Sequence, residues 1–254
     1  MKTRQIMIGA GMVALFGAAV LSVSASSAQP LPAPEKPKNL KVLPKDMDPQ
    51  QLRSLMGNYA RSLGVRCTHC HRGQEGQQLT AEDFASDDNP KKDIARGMIR
   101  LVDSVNVQLK HLVPNAENPV SVRCVTCHHG VARPRTLAEE LGLVYDKTGV
   151  DSTLVRYRAL RTRYYGSAAY DFGEGALTEV ARRALEKKDT AGALALLKTN
   201  VEQFPESGFV HGSYGEAYLA AGDTAKAIAE YERAVQLDPR NERAERTLAR
   251  LRSK

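Results

Sequence analysis

Cys67-Thr68-His69-Cys70-His71 and Cys124-Val125-Thr126-Cys127-His128 together hold all four cysteines of this 254-residue chain. In each stretch the two thiols stand three residues apart and a histidine follows the second directly. On one helical turn these spacings share a face. Two sulfurs can then close on the two vinyl groups of one haem while the imidazole reaches its iron, which is the signature of c-type haem attachment. Three other chemistries use similar residues. A four-thiolate zinc site takes two Cys-x-x-Cys pairs, but the second pair starts 57 residues after the first and the histidines would go unused. A redox dithiol normally stands alone beside a strand-helix pattern, and no such pattern is visible. Disulfides are the default for four cysteines in an exported chain, and they too leave the histidines unexplained. The reading adopted is two covalently attached haem c groups. Cys67, Cys70 and His71 hold one; Cys124, Cys127 and His128 hold the other. His71 and His128 are the iron ligands.

The sixth iron ligand decides between electron transfer and ligand chemistry. Upstream of the first motif, Asp48-Pro49 reads as an N-cap followed by a helix-starting proline. A helix through "QQLRSLMGNYARSL" then ends at Gly64. Leu52, Leu55, Met56, Tyr59 and Leu63 form its apolar stripe. Asn89-Pro90 starts a second helix, "KKDIARGMIRLVDSVNVQLKHL", with Ile94, Met98, Leu101, Val105 and Leu109 on its stripe. Met98 follows its cap by nine residues, as Met56 follows Asp48 by eight. The region reads as two copies of one unit: capped helix, methionine on the inner face, turn, haem motif. Methionines on apolar stripes are more often plain core; the repeated position makes Met56 and Met98 the candidate sixth ligands. His111 is the rival for the second haem, and Met47 a weaker one for the first. His69 and His129 flank the motifs as surface or supporting groups.

These segments, "LMGNYARSLGVRCTHCH" and "ARGMIRLVDSVNVQLKHL" followed by "VSVRCVTCHHG", resemble the haem-binding segments of the cytochrome c subunit of photosynthetic reaction centres. The resemblance spans roughly residues 38 to 135. It implies an electron carrier in which a helical methionine precedes each attachment motif. Met56 would serve the haem of His71, and Met98 that of His128. It also implies, as partners, a membrane redox complex such as a reaction centre and a soluble electron donor. Members of full length carry four haems; this chain has motifs for two, and His111 falls near a histidine that ligates a haem without a motif here. His/Met ligation suits a carrier, because a soft thioether favours ferrous iron.

Lys2 and Arg4, the apolar run Ile6 to Val23, and Ser26-Ser27-Ala28 have the layout of a secretory signal peptide over 1–28. An uncleaved membrane anchor is the alternative. Cleavage would lower the net charge from +7 to +5 by removing Lys2 and Arg4. The expected location is therefore periplasmic, with membrane association through a partner or an uncleaved helix as the other possibility. An exported chain of that mild charge does not meet nucleic acid, so the excess reads as solvated surface with some steering of acidic partners. There is no Trp and aromatic content is 6%. A segment of about 90 residues with so few large side chains is marginal as an apolar globule; porphyrins would supply buried surface.

Past residue 173 the chain becomes alanine-rich. Asp189-Thr190-Ala191 returns as Asp223-Thr224-Ala225, and Phe204-Pro205 as Asp238-Pro239, each 34 residues on. That is the tetratricopeptide period. Tyr214, Gly215, Tyr218, Ala227, Tyr231 and Pro239 fit the second repeat closely; Ala181, Ala184, Ala193, Leu197 and Pro205 fit the first more loosely. "NERAERTLARLRSK" reads as a capping helix. Two repeats are few for independent stability, so this module is expected to lean on what precedes it and to recognise a protein. Between the halves, one further helix is expected near Asp151, crowded by Arg156, Arg158, Arg161 and Arg163. These arginines read as a solvated face; docking an acidic partner or pairing with haem propionates are the other options.

The sequence thus predicts an all-α chain: signal peptide 1–28, extended linker 29–45, a dihaem c-type cytochrome domain over 46–135, a helical connector over 136–173, and a tetratricopeptide-repeat domain over 174–254. The expected function is electron transfer to a membrane redox complex, not catalysis. A haem-containing binding, assembly or sensor protein is the alternative. A dihaem peroxidase would need an open haem, which the two placed methionines argue against.

Overall fold

The computed structural model describes residues 37–114 and 117–253. The expected signal peptide and the start of the expected linker lie outside them. Ten α-helices and one 3-10 turn make up the described regular structure, with no strand, as the all-α expectation requires. No described helix is long and apolar enough to cross a membrane.

Helix α1, Pro49–Leu63, forms as its ends dictate. The Asp48 carboxylate accepts from the Gln50 and Gln51 amides at 2.9 and 3.0 Å, and Pro49 occupies the first turn. These bonds satisfy amides that have no partner inside the helix. Gly64, at φ 63°, closes the other end in the left-handed region. A 3-10 turn at Cys67–His69 follows, then the short α2, Ala81–Ala85, held by a reciprocal Thr80/Asp83 capping box. The Asp83 carboxyl is drawn down to about 2 by the Thr80 amide, by Arg72 and by the Thr80 hydroxyl. Its contribution to folding is therefore present above the usual carboxylate range and is lost as pH falls through about 2. Helix α3, Lys91–Leu112, is 22 residues long, roughly 33 Å. The Asn89 side chain accepts from the Lys91 amide at 3.1 Å, and so acts as the cap although Pro90 is the residue next to the helix. Helix α4 is a single turn, Cys124–His128.

Helix α5, Leu137–Tyr164, is bent at Gly149, whose φ of 79° and ψ of −173° no helix tolerates. The helix expected near Asp151 is its second arm. The first arm brings Leu137, Leu141 and Tyr145 into one core with Tyr157, Leu160 and Phe172 and with Leu177, Val180, Leu196 and Leu197 of the following hairpin. The repeats therefore lean on α5, as their small number demands.

That hairpin is α6, Gly175–Glu186, and α7, Thr190–Gln203; a second is α8, Gly208–Ala220, and α9, Thr224–Leu237; α10, Glu242–Arg252, covers the end. The 34-residue recurrence is reproduced in the backbone: Asp189 and Asp223 cap α7 and α9 at φ/ψ of −85/74° and −86/74°. Ser207 and Asn241, also 34 apart, cap α8 and α10 through the Val210 and Ala244 amides. Small residues let the helices close up. Ala181, Ala184, Ala193, Ala227 and Ala234 are buried, and a Cβ on Gly208 would stand 2.8 Å from the Ala234 carbonyl.

Asp189 does more than cap. One oxygen accepts from the Gly192 amide at 2.8 Å; the other accepts from the Tyr145 hydroxyl at 2.8 Å, which ties α5 to the first repeat. Asp189→Ala is expected to cost about 2–3 kcal/mol in chemical denaturation, and Asp223→Ala, which loses a cap without such a tie, about 1 kcal/mol. Burial and the Asp189 carboxylate push the Tyr145 phenol up to about 12. Because the folded state holds that proton longer, the contribution is complete below pH 10 and disappears between pH 10 and about 12.

Candidate haem-binding site

Each attachment histidine is oriented by a main-chain carbonyl. In the first motif the His71 Nδ1 lies 3.1 Å from the Phe84 carbonyl, and the Phe84 ring stands edge-on to the imidazole at 5.1 Å. In the second, the Nδ1 of the buried His128 lies 3.0 Å from the Val131 carbonyl. A carbonyl can only accept, so Nδ1 carries the proton in both and Nε2 keeps its lone pair free for a metal. This is the arrangement by which a ligating histidine is fixed in ring angle and tautomer. Burial and the nearby Lys92 lower the proton affinity of His71, which favours the neutral ring a metal needs.

All four thiols are free, with none joined in a disulfide. Among the described residues no three or more His, Cys, Asp or Glu side chains gather as a metal site, so the two pairs do not converge on one zinc. Burial raises the Cys70 and Cys124 thiols above their ordinary range.

The supports of the motifs come from α3 and α1. The Asn89 side-chain amide donates to the His69 carbonyl at 3.1 Å, with the Thr68 and His71 carbonyls at 3.4 and 3.5 Å. Farther along the helix, Asn106 donates to the Val122 carbonyl at 2.9 Å and accepts from the Val122 amide at 2.7 Å. One helix therefore grips the first motif at its N-terminus and the entry to the second at its middle. Helix α1 meets the second motif directly. The Gly130 amide donates to the Ser62 carbonyl at 2.9 Å, and burial together with Cys124 raises the Tyr59 phenol. The two units read from the sequence are interleaved, not side by side. Asn89, Asn106 and Phe84 have no signature as site residues beyond the helix-start pattern at Asn89-Pro90.

Met56 is half-buried on α1, in line with half-buried Leu52, Leu55, Tyr59 and Leu63. Met98 is 40% exposed on α3, and Ile94 and Leu101 on the same stripe are 65% and 54% exposed. His111 is exposed; thirteen residues from Met98, it lies about 140° away around the helix and off the apolar stripe. Met47 is half-buried just ahead of the α1 cap, His69 is half-buried and His129 is exposed.

The residues present fit haem c. Among the described residues from 37 to 136 the buried apolar side chains are Leu79 and Val131, while the apolar stripe of α1 is half-buried and much of that of α3 is exposed beside the motifs. Such surface, adjacent to correctly spaced thiols and tautomer-locked histidines, is suited to a flat apolar macrocycle. Beside the first motif, Arg66, Lys91 and Arg163 line a hollow of about 500 Å³ with Thr68, His69 and Glu75. None of the three cations has a carboxylate partner among the described residues.

Comparison with known proteins agrees. Residues 75–171 match the family model of the photosynthetic reaction centre cytochrome C subunit, a span that holds the second motif and begins after the first. Residues 184–251 match a tetratricopeptide-repeat model. Cytochrome c-554 of Chloroflexus aurantiacus is 37% identical over 84 residues, covering 33% of this chain and 18% of that protein. The photosynthetic reaction center cytochrome c subunit of Thermochromatium tepidum is 32% identical over 115 residues, covering 42% and 26%. The matches thus span about a fifth to a quarter of the length of these relatives. A solved structure of the first TPR of Spaghetti (RPAP3) bound to an HSP90 peptide covers 46% of this chain and 88% of its own, at 20% identity and a TM-score of 0.34, too low to bear on function. The chain thus carries, in order, a segment that matches the photosynthetic reaction centre cytochrome C subunit model and a segment that matches a tetratricopeptide-repeat model.

Proposed function

We propose that this protein is a periplasmic dihaem c-type cytochrome that passes electrons to a membrane-bound redox complex, with its tetratricopeptide repeats docking it to a protein partner. The observation that carries the reading is the pair of Cys-x-x-Cys-His turns, each with its histidine Nδ1 engaged by a main-chain carbonyl. Haem c, when bound, supplies a one-electron ferric/ferrous couple. Cys67 and Cys70, and Cys124 and Cys127, would tether one group each. His71 and His128 would ligate through Nε2; Met56 and Met98 would close the opposite sides. The interleaving of α1 and α3 with both motifs holds the two sites in one unit, which suits a short relay. A reaction centre is the partner that the family match favours.

The test is mass and spectrum. The protein made with its own leader in a host that assembles c-type cytochromes should gain the mass of two haems, and alanine replacement of either cysteine pair should remove one. A colourless product, or a mass without that increment, ends the reading.

The hollow lined by Arg66, Lys91 and Arg163 gives the first site a cationic approach. The combined Arg66→Glu and Arg163→Glu protein should be reduced several-fold more slowly by ferrocyanide at low salt, with the difference fading as salt screens the field. A cationic hexaammineruthenium reductant should show the opposite change.

A further inference from the structure

One cation sits where it can act on a single haem. Lys92, the second residue of α3, donates from Nζ to the carbonyls of Phe84, Ala85 and Ser86 at 2.8, 3.0 and 2.7 Å. Its side chain is only 12% exposed. The Phe84 carbonyl is the same one that accepts from His71 Nδ1. One oxygen therefore serves two donors, an ammonium and the ring that faces the first haem site. Nothing similar surrounds the second motif: the Val131 carbonyl accepts from His128, and no side-chain cation reaches it among the described residues.

Charges of both signs surround Lys92. Asp87 accepts from Arg96 at 2.7 Å and from Lys41 at 2.6 Å, and lies 3.3 Å from the Lys92 ammonium. Arg96 also pairs with Asp93. Three cations thus face two carboxylates in this cluster, and beside it Arg72 pairs with Asp83 and Asp88; what sets Lys92 apart is its direct contact with the carbonyl that holds His71.

We infer that Lys92 is a positioning residue which raises the reduction potential of the haem held by Cys67, Cys70 and His71 and leaves the other haem untouched. Two effects act in the same direction. A fixed positive charge disfavours the more positive ferric state. The ammonium also draws on the Phe84 carbonyl, weakening its pull on the His71 Nδ1 proton. A less strongly held proton would make a more basic ligand that favours ferric iron; here the reverse applies. Both effects vanish with the ammonium. The asymmetry between two haems with identical attachment motifs thus has a source in the protein outside the ligands themselves.

The inference rests on the haem reading above, and its test separates the two. Lys92→Met and Lys92→Arg holoproteins are titrated by spectroelectrochemistry. In Lys92→Met, one of the two waves is expected to move to lower potential while the other stays. In Lys92→Arg, which keeps the charge, the wave is expected to return toward its original position. The His71 Nδ1 proton should resonate farther downfield in Lys92→Met, because its bond to Phe84 strengthens. A protein with no haem waves would sink the haem reading. Two waves that both stay in place, or that move together, in a folded Lys92→Met protein would overturn the role of Lys92, even where thermal melting shows that the substitution costs stability.

Discussion

Replacing Met98 by alanine is expected to lower one of the two reduction potentials on the order of 100 mV, within the ~0.8 V that axial ligands span. A carbon monoxide difference spectrum should appear on reduction where the parent protein shows none at that site. Met56→Ala should do the same to the other wave. The reason is the thioether: it is a soft ligand that stabilises ferrous iron, and alanine leaves no donor in its place. Both residues lie on the apolar stripes of their helices. Met56 shares α1 with half-buried Leu52, Leu55, Tyr59 and Leu63, and Met98 shares its stripe with exposed Ile94 and Leu101. His111 lies on a different side of α3, so His111→Ala should leave both waves and the carbon monoxide response unchanged. If His111→Ala opens the second haem and Met98→Ala does not, the sixth ligand is the histidine.

Gly64→Ala is expected to cost about 3 kcal/mol or more, a large share of the stability of a marginal domain. Two penalties combine. Gly64 sits at φ 63°, where a Cβ is strained by roughly 1–2 kcal/mol. That Cβ would also fall 1.9 Å from the Gly130 carbonyl oxygen, so α1 and the second motif must separate and the bond from the Gly130 amide to Ser62 is lost. Gly76→Ala is the control. Its φ is +86°, yet nothing lies within 4 Å of the added carbon, so it pays only the conformational cost. Denaturation of both variants should separate them clearly. The Gly64 variant should also disturb the haem of Cys124, Cys127 and His128, although Gly64 stands next to the first motif in sequence. Equal losses in the two variants, with the second haem unaffected, would show that the close approach of α1 to Gly130 does not matter.

What could be read from the residues alone is the chemistry and the punctuation, because both are short-range. Five residues carry each attachment motif, so the thiols and the imidazole are tied together by the chain itself. Asp48, Pro49 and Gly64 announce the ends of α1 within one helix. The recurrence of Asp189 at Asp223 announces the repeats, since each cap acts on an amide three residues on. Tertiary structure decided the rest. The connector reads as helical over 136–173 with its helix starting near Asp151; that a first arm precedes it, joined through a bend at Gly149 with φ 79°, shows only in the fold. Phe84 and Val131 act through main-chain carbonyls, which every residue possesses and no side chain advertises. Asn89 reaches carbonyls 18 to 21 residues away, and Gly64 meets Gly130 across 66 residues. Spacing along the chain specifies which atoms can bond to a porphyrin; only folding brings together the distant carbonyls and amides that fix the tautomer and ring angle of both motif histidines, and the single ammonium that sets the local charge at the first.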